Sequence, residues 1–222
     1  MLSNKRLTIL CGHYGTGKTN VAVNLALAMA QTGERITVAD LDIVNPYFRT
    51  LDSADAFQEA GIRLICSRFA NSNVDIPSLP ADLYAITDDK DHRVVIDVGG
   101  DDSGAMVLGR LAPAIREEND YEMWLVVNQY RPLTPDIPST LEVMGEIEAA
   151  SGLAFTGIIN NSNLGVETTA DVVRDTTAYA QQLAAAAGLP LVATTVAESV
   201  YPALEGQIAN LTSLQLQNNK PF

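Results

Sequence analysis

The sequence predicts an α/β fold, a mostly parallel sheet of about seven strands with helices on both faces. Three observations lead there. Short apolar runs alternate with longer amphipathic stretches along the chain. Several of those runs are Val/Ile-rich and apolar throughout, as parallel strands buried on both faces are. A glycine-rich segment joins the first run to the first amphipathic stretch, the form that strand–loop–helix phosphate sites take.

Taken in order, the expected strands are 7–11, 35–39, 62–65, 94–97, 123–128, 155–160 and 191–194, and the expected helices 18–31, 80–87, 103–116, 137–151, 168–187 and 201–211. In the first helix Asn20, Asn24 and Gln31 share one narrow stripe and the remainder is apolar or small, so the helix is expected to be largely buried, with Gly33 stopping it. The helix over 168–187 runs out at Gly188, and Pro190 follows. The last residues, LQNNKPF, are polar and expected to fray.

At 222 residues, one domain over 1–222 is the simplest organisation. Apolar residues at 47% and charged residues at 18% are a globular balance. No apolar run approaches the ~18 residues of a membrane helix, and the N-terminus enters the first strand directly, leaving no room for a signal peptide, so a cytosolic protein is expected. Cys11 and Cys66 form no metal or redox spacing, and a disulfide between them is disfavoured in a reducing compartment. The net charge of −13 opposes binding to nucleic acid or anionic membrane. A chain so acidic that binds a polyanion must create positive potential locally, from backbone N–H groups, a lysine and a divalent cation.

The segment Gly12-His13-Tyr14-Gly15-Thr16-Gly17-Lys18-Thr19 fits G-x-x-x-x-G-K-[ST]. Glycines let the backbone curl so that successive N–H groups face phosphate oxygens. Lys18 adds a point charge to the β- and γ-phosphates, Thr19 offers its hydroxyl to Mg²⁺, and Asn20 opens the helix whose dipole favours the anion. Two more acidic sites follow. In ADLDIVNPYF, Asp40 and Asp42 lie two apart at a strand end and project to one side. In VVIDVGGDD, Asp97 ends an apolar run, and Gly99 and Gly100 allow the backbone close to a γ-phosphate; Asp101, Asp102 and Ser103 read as caps of the next helix.

Together these segments resemble the MinD/ParA branch of P-loop NTPases, whose relatives include Mrp-type proteins, nitrogenase iron protein and CobQ/CobB. GHYGTGKTNVAVNLA, DLDIVNPYFR, DVGGDD and GIINNSNLG are similar to a bacterial group of ATP-binding proteins of that branch, over essentially the whole chain. The resemblance implies a three-layer P-loop fold, with Lys18 on phosphate, Thr19 on Mg²⁺, Asp40 and Asp97 reaching Mg²⁺ through water, and Asp42 positioning the attacking water. It implies a base-contacting asparagine at Asn160 or Asn161, with Asn161 preferred, and a loop over the base containing Val196, Ala197 and Glu198. The absence of an N-K-x-D guanine motif tilts the nucleotide to ATP. Asn128 and Arg131, at another strand end, can approach the site, although a lone arginine is more often a surface or ion-pair residue; His92 reads as a surface residue.

The chain departs from the family at one point. Where most MinD/ParA loops carry a lysine that reaches across a nucleotide-sandwich dimer, this loop has His13, followed by Tyr14 in place of a glycine. Two readings stand side by side. Either His13 replaces the trans-acting cation, or His13 and Tyr14 cover the loop and pack on neighbouring strand ends. The expected function is a Mg²⁺-dependent ATP switch with slow hydrolysis, ATP and ADP as ligands, an unidentified protein client and a possible homodimer. The rivals are a nucleotide sensor without turnover, a phosphotransferase or ligase acting on a small acid, and a metal-delivery NTPase, against which the two histidines and missing cysteine pair argue.

Overall fold

The computed structural model describes residues 2–41, 53–66, 81–100 and 102–216. Eight strands form one sheet, parallel at every pairing: β1 (Leu7–Cys11), β2 (Ile36–Asp40), β3 (Arg63–Cys66), β4 (Arg93–Asp97), β5 (Tyr121–Val127), β6 (Gly157–Asn160), β7 (Leu191–Ala197) and β8 (Leu211–Leu214), in the order β3-β2-β4-β1-β5-β6-β7-β8. The helices are α1 (Lys18–Ala30), α2 (Ala54–Glu59), α3 (Ala81–Asp88), α4 (Asp102–Glu118), α5 (Ile137–Ser151), α6 (Ala170–Asp175) and α7 (Thr177–Ala187).

Period-two alternation assigns each strand to two cores. On one face Leu7, Ile9 and Cys11 of β1 pack with Leu108 and Ile115 of α4 and Leu183 of α7. On the other, Leu10 packs with Val21, Leu25 and Met29 of α1 and Phe57 of α2. Both faces of β1 are therefore dry, which explains its uninterrupted apolar sequence. Chain order reverses direction around β1, with β4 on one side and β5 on the other. Loops leaving the carboxyl ends of such strands diverge there and open a crevice for ligands.

Two expectations need correction, and one element is new. The helix over 201–211 does not form. A short 3₁₀ turn, Tyr201–Ala203, is followed by turns through Gly206 and Asn210, both with positive φ, and the chain then adds β8 as an eighth strand beside β7. The helix over 168–187 is broken at Thr176, whose buried hydroxyl accepts from Asn160 Nδ2 at 3.1 Å and donates to Val173 O at 2.9 Å, a side-chain bond that competes with helical continuation. The short helix α2 was not anticipated; its single buried residue, Phe57, is too little to produce a periodic signal. No helix among the described residues is long and apolar enough to cross a membrane.

Candidate functional site

The loop between β1 and α1 sits at the crevice. Gly17 occupies the position before α1 with φ 87°, where a Cβ would lie 2.2 Å from Asn161 Nδ2, so only glycine fits both the backbone and the neighbour. No side chain caps α1 and no acidic residue lies in its first turn. By contrast, the Asp136 side chain caps α5 by accepting from Ser139 N at 2.9 Å, and Thr169 caps α6 by accepting from Val172 N at 3.3 Å. The orphan N–H groups and positive dipole end of α1 are thus left facing the crevice.

The loop is organised around one carbonyl. His13 O accepts from Lys18 Nζ at 3.1 Å, from Thr16 Oγ1 at 2.9 Å and from Thr16 N at 3.4 Å. Lys18 is 7% exposed, so its charge is folded down onto the loop. The Thr19 hydroxyl donates to Asp97 Oδ2 at 2.7 Å, and Asp97 and Asp40 are register partners on β4 and β2, both buried. Burial pushes the Cys11 thiol well above its ordinary range; Lys18 opposes the shift and Asp97 adds to it. Cys11 is a free, buried packing residue, while the Cys66 side chain lies outside the described residues.

Gly100 passes so close to the loop that a Cβ there would meet Tyr14 N at 2.6 Å. The loop and the segment after β4 are thus close backbone neighbours, with no room for a side chain at Gly100. His13 faces a cavity of about 40 Å³ shared with Cys11, Gly99 and Gly100 and with Glu146 of α5. Tyr14 instead is 55% exposed.

Above the loop lies a cleft of about 610 Å³, lined by Gly15, Gly17, Thr19 and Asn20, by Asn161 and Ser162 after β6, and by Thr195, Val196 and Ala197 of β7. Asn161 is buried; its Nδ2 donates to Thr16 O at 2.7 Å and its Oδ1 accepts from Thr195 Oγ1 at 2.7 Å. One N–H and one lone pair of the amide remain beyond those two bonds. Asn160 is fully buried and committed to Thr176 and Ser162, and so takes a structural role. Asn128 is likewise consumed inside, bonding Asn163 O and Tyr130 N.

Not every expected residue reaches the cleft. Glu198 is exposed, accepts from Gln215 Nε2 at 3.3 Å and lines a separate groove between α1 and β8, because β7 continues through Ala197 and turns away there. Asp42, Asp101 and residues 217–222 lie outside the described residues. His92 is not simply a solvated surface group: its Nδ1 is 3.1 Å from Thr37 Oγ1. Arg131, which the sequence places where it can approach the site, reaches the loop and donates from Nε to Gly15 O at 2.9 Å. Its signal was positional. It follows β5, and β5 is the neighbour of β1.

Comparison with known proteins agrees with this geometry. Residues 3–79 match a ParA family model described as NUBPL iron-transfer P-loop NTPase. That match covers about a third of the chain, and over those residues the chain is similar to ParA-type P-loop NTPases. A cytosolic Fe-S cluster assembly factor Nubp2 homolog of Drosophila ananassae is 38% identical over 55 residues, 23% of this chain and 21% of that protein. Among solved structures, FtsY of Thermotoga maritima superposes with a TM-score of 0.60 at 20% identity over 86% of this chain and 62% of its own. The signal recognition particle 54 kDa protein of Aeropyrum pernix, in complex with GDP, gives 0.54 at 17% identity over 86% and 41%. These structural similarities establish the fold. The chain spans about a fifth of that matched assembly factor and under two thirds of these two structures.

Proposed function

We propose that this MinD/ParA-like protein binds ATP with Mg²⁺ and uses slow hydrolysis to switch its interaction with a protein client. The observation that carries the reading is the uncapped N-terminus of α1, wrapped by a glycine loop with Lys18 folded onto it, at the floor of an open cleft. An anion completes that cap as Asp136 completes the cap of α5.

The donor set fits Mg²⁺. Thr19 hydroxyl and the Asp97 and Asp40 carboxylates are hard oxygens, the chemistry this ion prefers. When bound, the ion supplies charge neutralisation at the β- and γ-oxygens. In the adopted reading Lys18 holds those phosphates, Asn161 and Val196 meet the base, and Asp42, by family resemblance, orients the attacking water. The water oxygen bonds to the γ-phosphorus as the bond to the β–γ bridging oxygen breaks, ADP leaves with that oxygen, and the water's protons end on the inorganic phosphate and in solvent. Gly100 supports the switch, because its contact with the Tyr14 backbone couples the loop to the segment after β4.

One observation favours a second reading, a nucleotide sensor without turnover. His13 takes the place of the family's trans-acting lysine and faces a cavity within its own chain. Metal transfer, which the matched family description names, draws no support from the described residues, where Cys11 is buried and no metal-binding cluster occurs.

Titration with fluorescent ATP in the presence of Mg²⁺ tests the main reading. Lys18→Ala is expected to weaken binding by at least about tenfold. Equal affinity of wild type and variant overturns it. Single-turnover hydrolysis by the purified protein, and in cell lysate above the lysate's own background, then separates switch from sensor, since a sensor adds no turnover to either.

A further inference from the structure

We propose that Arg131 is a polyphosphate-binding residue of this site, the second side-chain cation after Lys18, supplied by the same chain. The proposal rests on the nucleotide-binding reading above and adds a specific contact to it.

Four observations carry it. First, the chain has a net charge of −13, yet Arg131 is the one charged residue among the described residues that line the cleft. Second, its guanidinium lies directly on the phosphate loop. Nε donates to Gly15 O at 2.9 Å, and a Cβ on Gly15 would lie 3.4 Å from Nε and 3.6 Å from Cζ. A guanidinium has five N–H donors in a fixed fork. Nε alone is engaged with the described residues; the two terminal nitrogens make no hydrogen bond or ion pair with them.

Third, the backbone beneath Arg131 is fixed. Arg131 N donates to Asn128 O at 3.0 Å, Thr134 N to Arg131 O at 3.1 Å, and Thr134 Oγ1 to Asn128 O at 2.7 Å. Gln129 N donates to Ser162 Oγ at 2.9 Å, tying this turn to the loop after β6 that also carries Asn161. A planar cation on so braced a turn meets an incoming anion with little ordering left to do. Fourth, His13 faces the cavity on the α5 side of the loop, so it does not line this cleft. Arg131 therefore supplies a positive charge at the loop that the histidine does not.

The experiment measures ADP and ATP binding with Mg²⁺ at several salt concentrations, alongside adenosine, for the wild type, Arg131→Gln, Arg131→Lys and Lys18→Ala. Glutamine keeps a donor for Gly15 O and removes the charge. It is expected to weaken ADP and ATP by about tenfold while leaving adenosine unchanged. Its plot of log Kd against log salt is expected to be flatter than that of the wild type, since a screened charge pair has gone. Lysine is expected to keep the wild-type salt slope with a smaller loss of affinity, because it retains a point charge without the fork. Should Arg131→Gln fail to fold, judged by its thermal melt, Arg131→Met, which keeps the apolar stem and removes the charge, carries the same test through its salt slope and its effect on adenosine.

The proposal is overturned if Arg131→Gln binds both nucleotides as the wild type does. It is also overturned if affinity falls equally for adenosine and ATP with an unchanged salt slope, which is what a merely structural bond to Gly15 produces. A distinct outcome, Lys18→Ala unaffected or wild type failing to bind either nucleotide, overturns the nucleotide reading itself and this proposal with it.

Discussion

Two arginines sit at opposite ends of the same parallel sheet and differ in how their donors are spent. Arg6, entering β1 at its amino end, uses all five: Nε and Nη2 grip Glu118 at the end of α4, with Nη2 at 2.7 Å from Oε2, and the rest reach the carbonyls of Ile86, Asp89 and His92. Arg131, beyond the carboxyl end of β5, uses one among the described residues. A buried cation whose fork is saturated by its own chain holds elements together. One that lines a cleft with its fork open is suited to hold something from outside. The amino end of the sheet is thus a closed joint, while the carboxyl end is the one that opens onto the cleft.

The largest effect that separates the two ends is on stability. Truncating Glu118 leaves Arg6 buried with its principal partner gone, and Glu118→Ala is expected to cost about 3 kcal/mol in chemical denaturation. Arg131→Ala, measured without nucleotide, is expected to cost under about 1 kcal/mol. If the order reverses, the contrast between a structural and a binding arginine is wrong. Acid sharpens the same test. The hydrogen bonds from Arg6 hold the Glu118 carboxyl below its ordinary value of 4.5, with Lys90 adding to the effect. A group whose folded pKa is depressed stabilises the fold above its unfolded value and loses that contribution as pH falls through the folded one. The stability gap between wild type and Glu118→Gln is therefore expected to be full at neutral pH and to close as pH drops below 4.5.

The carboxyl end shows its own effect through ligand linkage. Nucleotide at about a hundred times its Kd is expected to stabilise the wild type by about 2.7 kcal/mol. Lys18→Ala at the same concentration is expected to gain much less, as thermal melts with Mg²⁺ and ATP will show. A full gain in the variant would place the binding energy elsewhere than the loop.

The sequence was a good guide where one physical signal dominated. Strands buried on both faces produce unbroken apolar runs, so β1 was legible to the residue. The loop was legible because its glycine and Lys-Thr spacing has few other uses. Legibility failed where tertiary contacts decide. The polar hydroxyl of Thr176 interrupts an alanine-rich helix only because Asn160 is positioned to bond it. The segment before β8 looked helical, but Gly206 and Asn210 take positive φ and the edge of β7 offers a ladder. Of the two candidate asparagines, burial and bonding removed Asn160 and left Asn161 at the cleft, a distinction that composition cannot make. The contact of Arg131 with Gly15 depends on strand order, which brings the loop after β5 beside the loop after β1.

The smallest expected effect compares two helix starts directly. The N-terminus of α5 is closed by Asp136, whose backbone bond from Ser139 also holds its carboxyl below the ordinary aspartate range. The N-terminus of α1 has no such side chain. Asp136→Ala removes a cap that the chain provides for itself, so the melting temperature is expected to fall by on the order of 2–4 °C. That fall is expected to be the same with and without nucleotide, because α5 takes its cap from within, whereas on the proposed function α1 takes its cap from the ligand. Sites that share no partner add their effects. A loss that shrinks when ATP is present would mean that α5 also meets the bound nucleotide, and the division between a self-capped helix and a ligand-capped one would no longer hold.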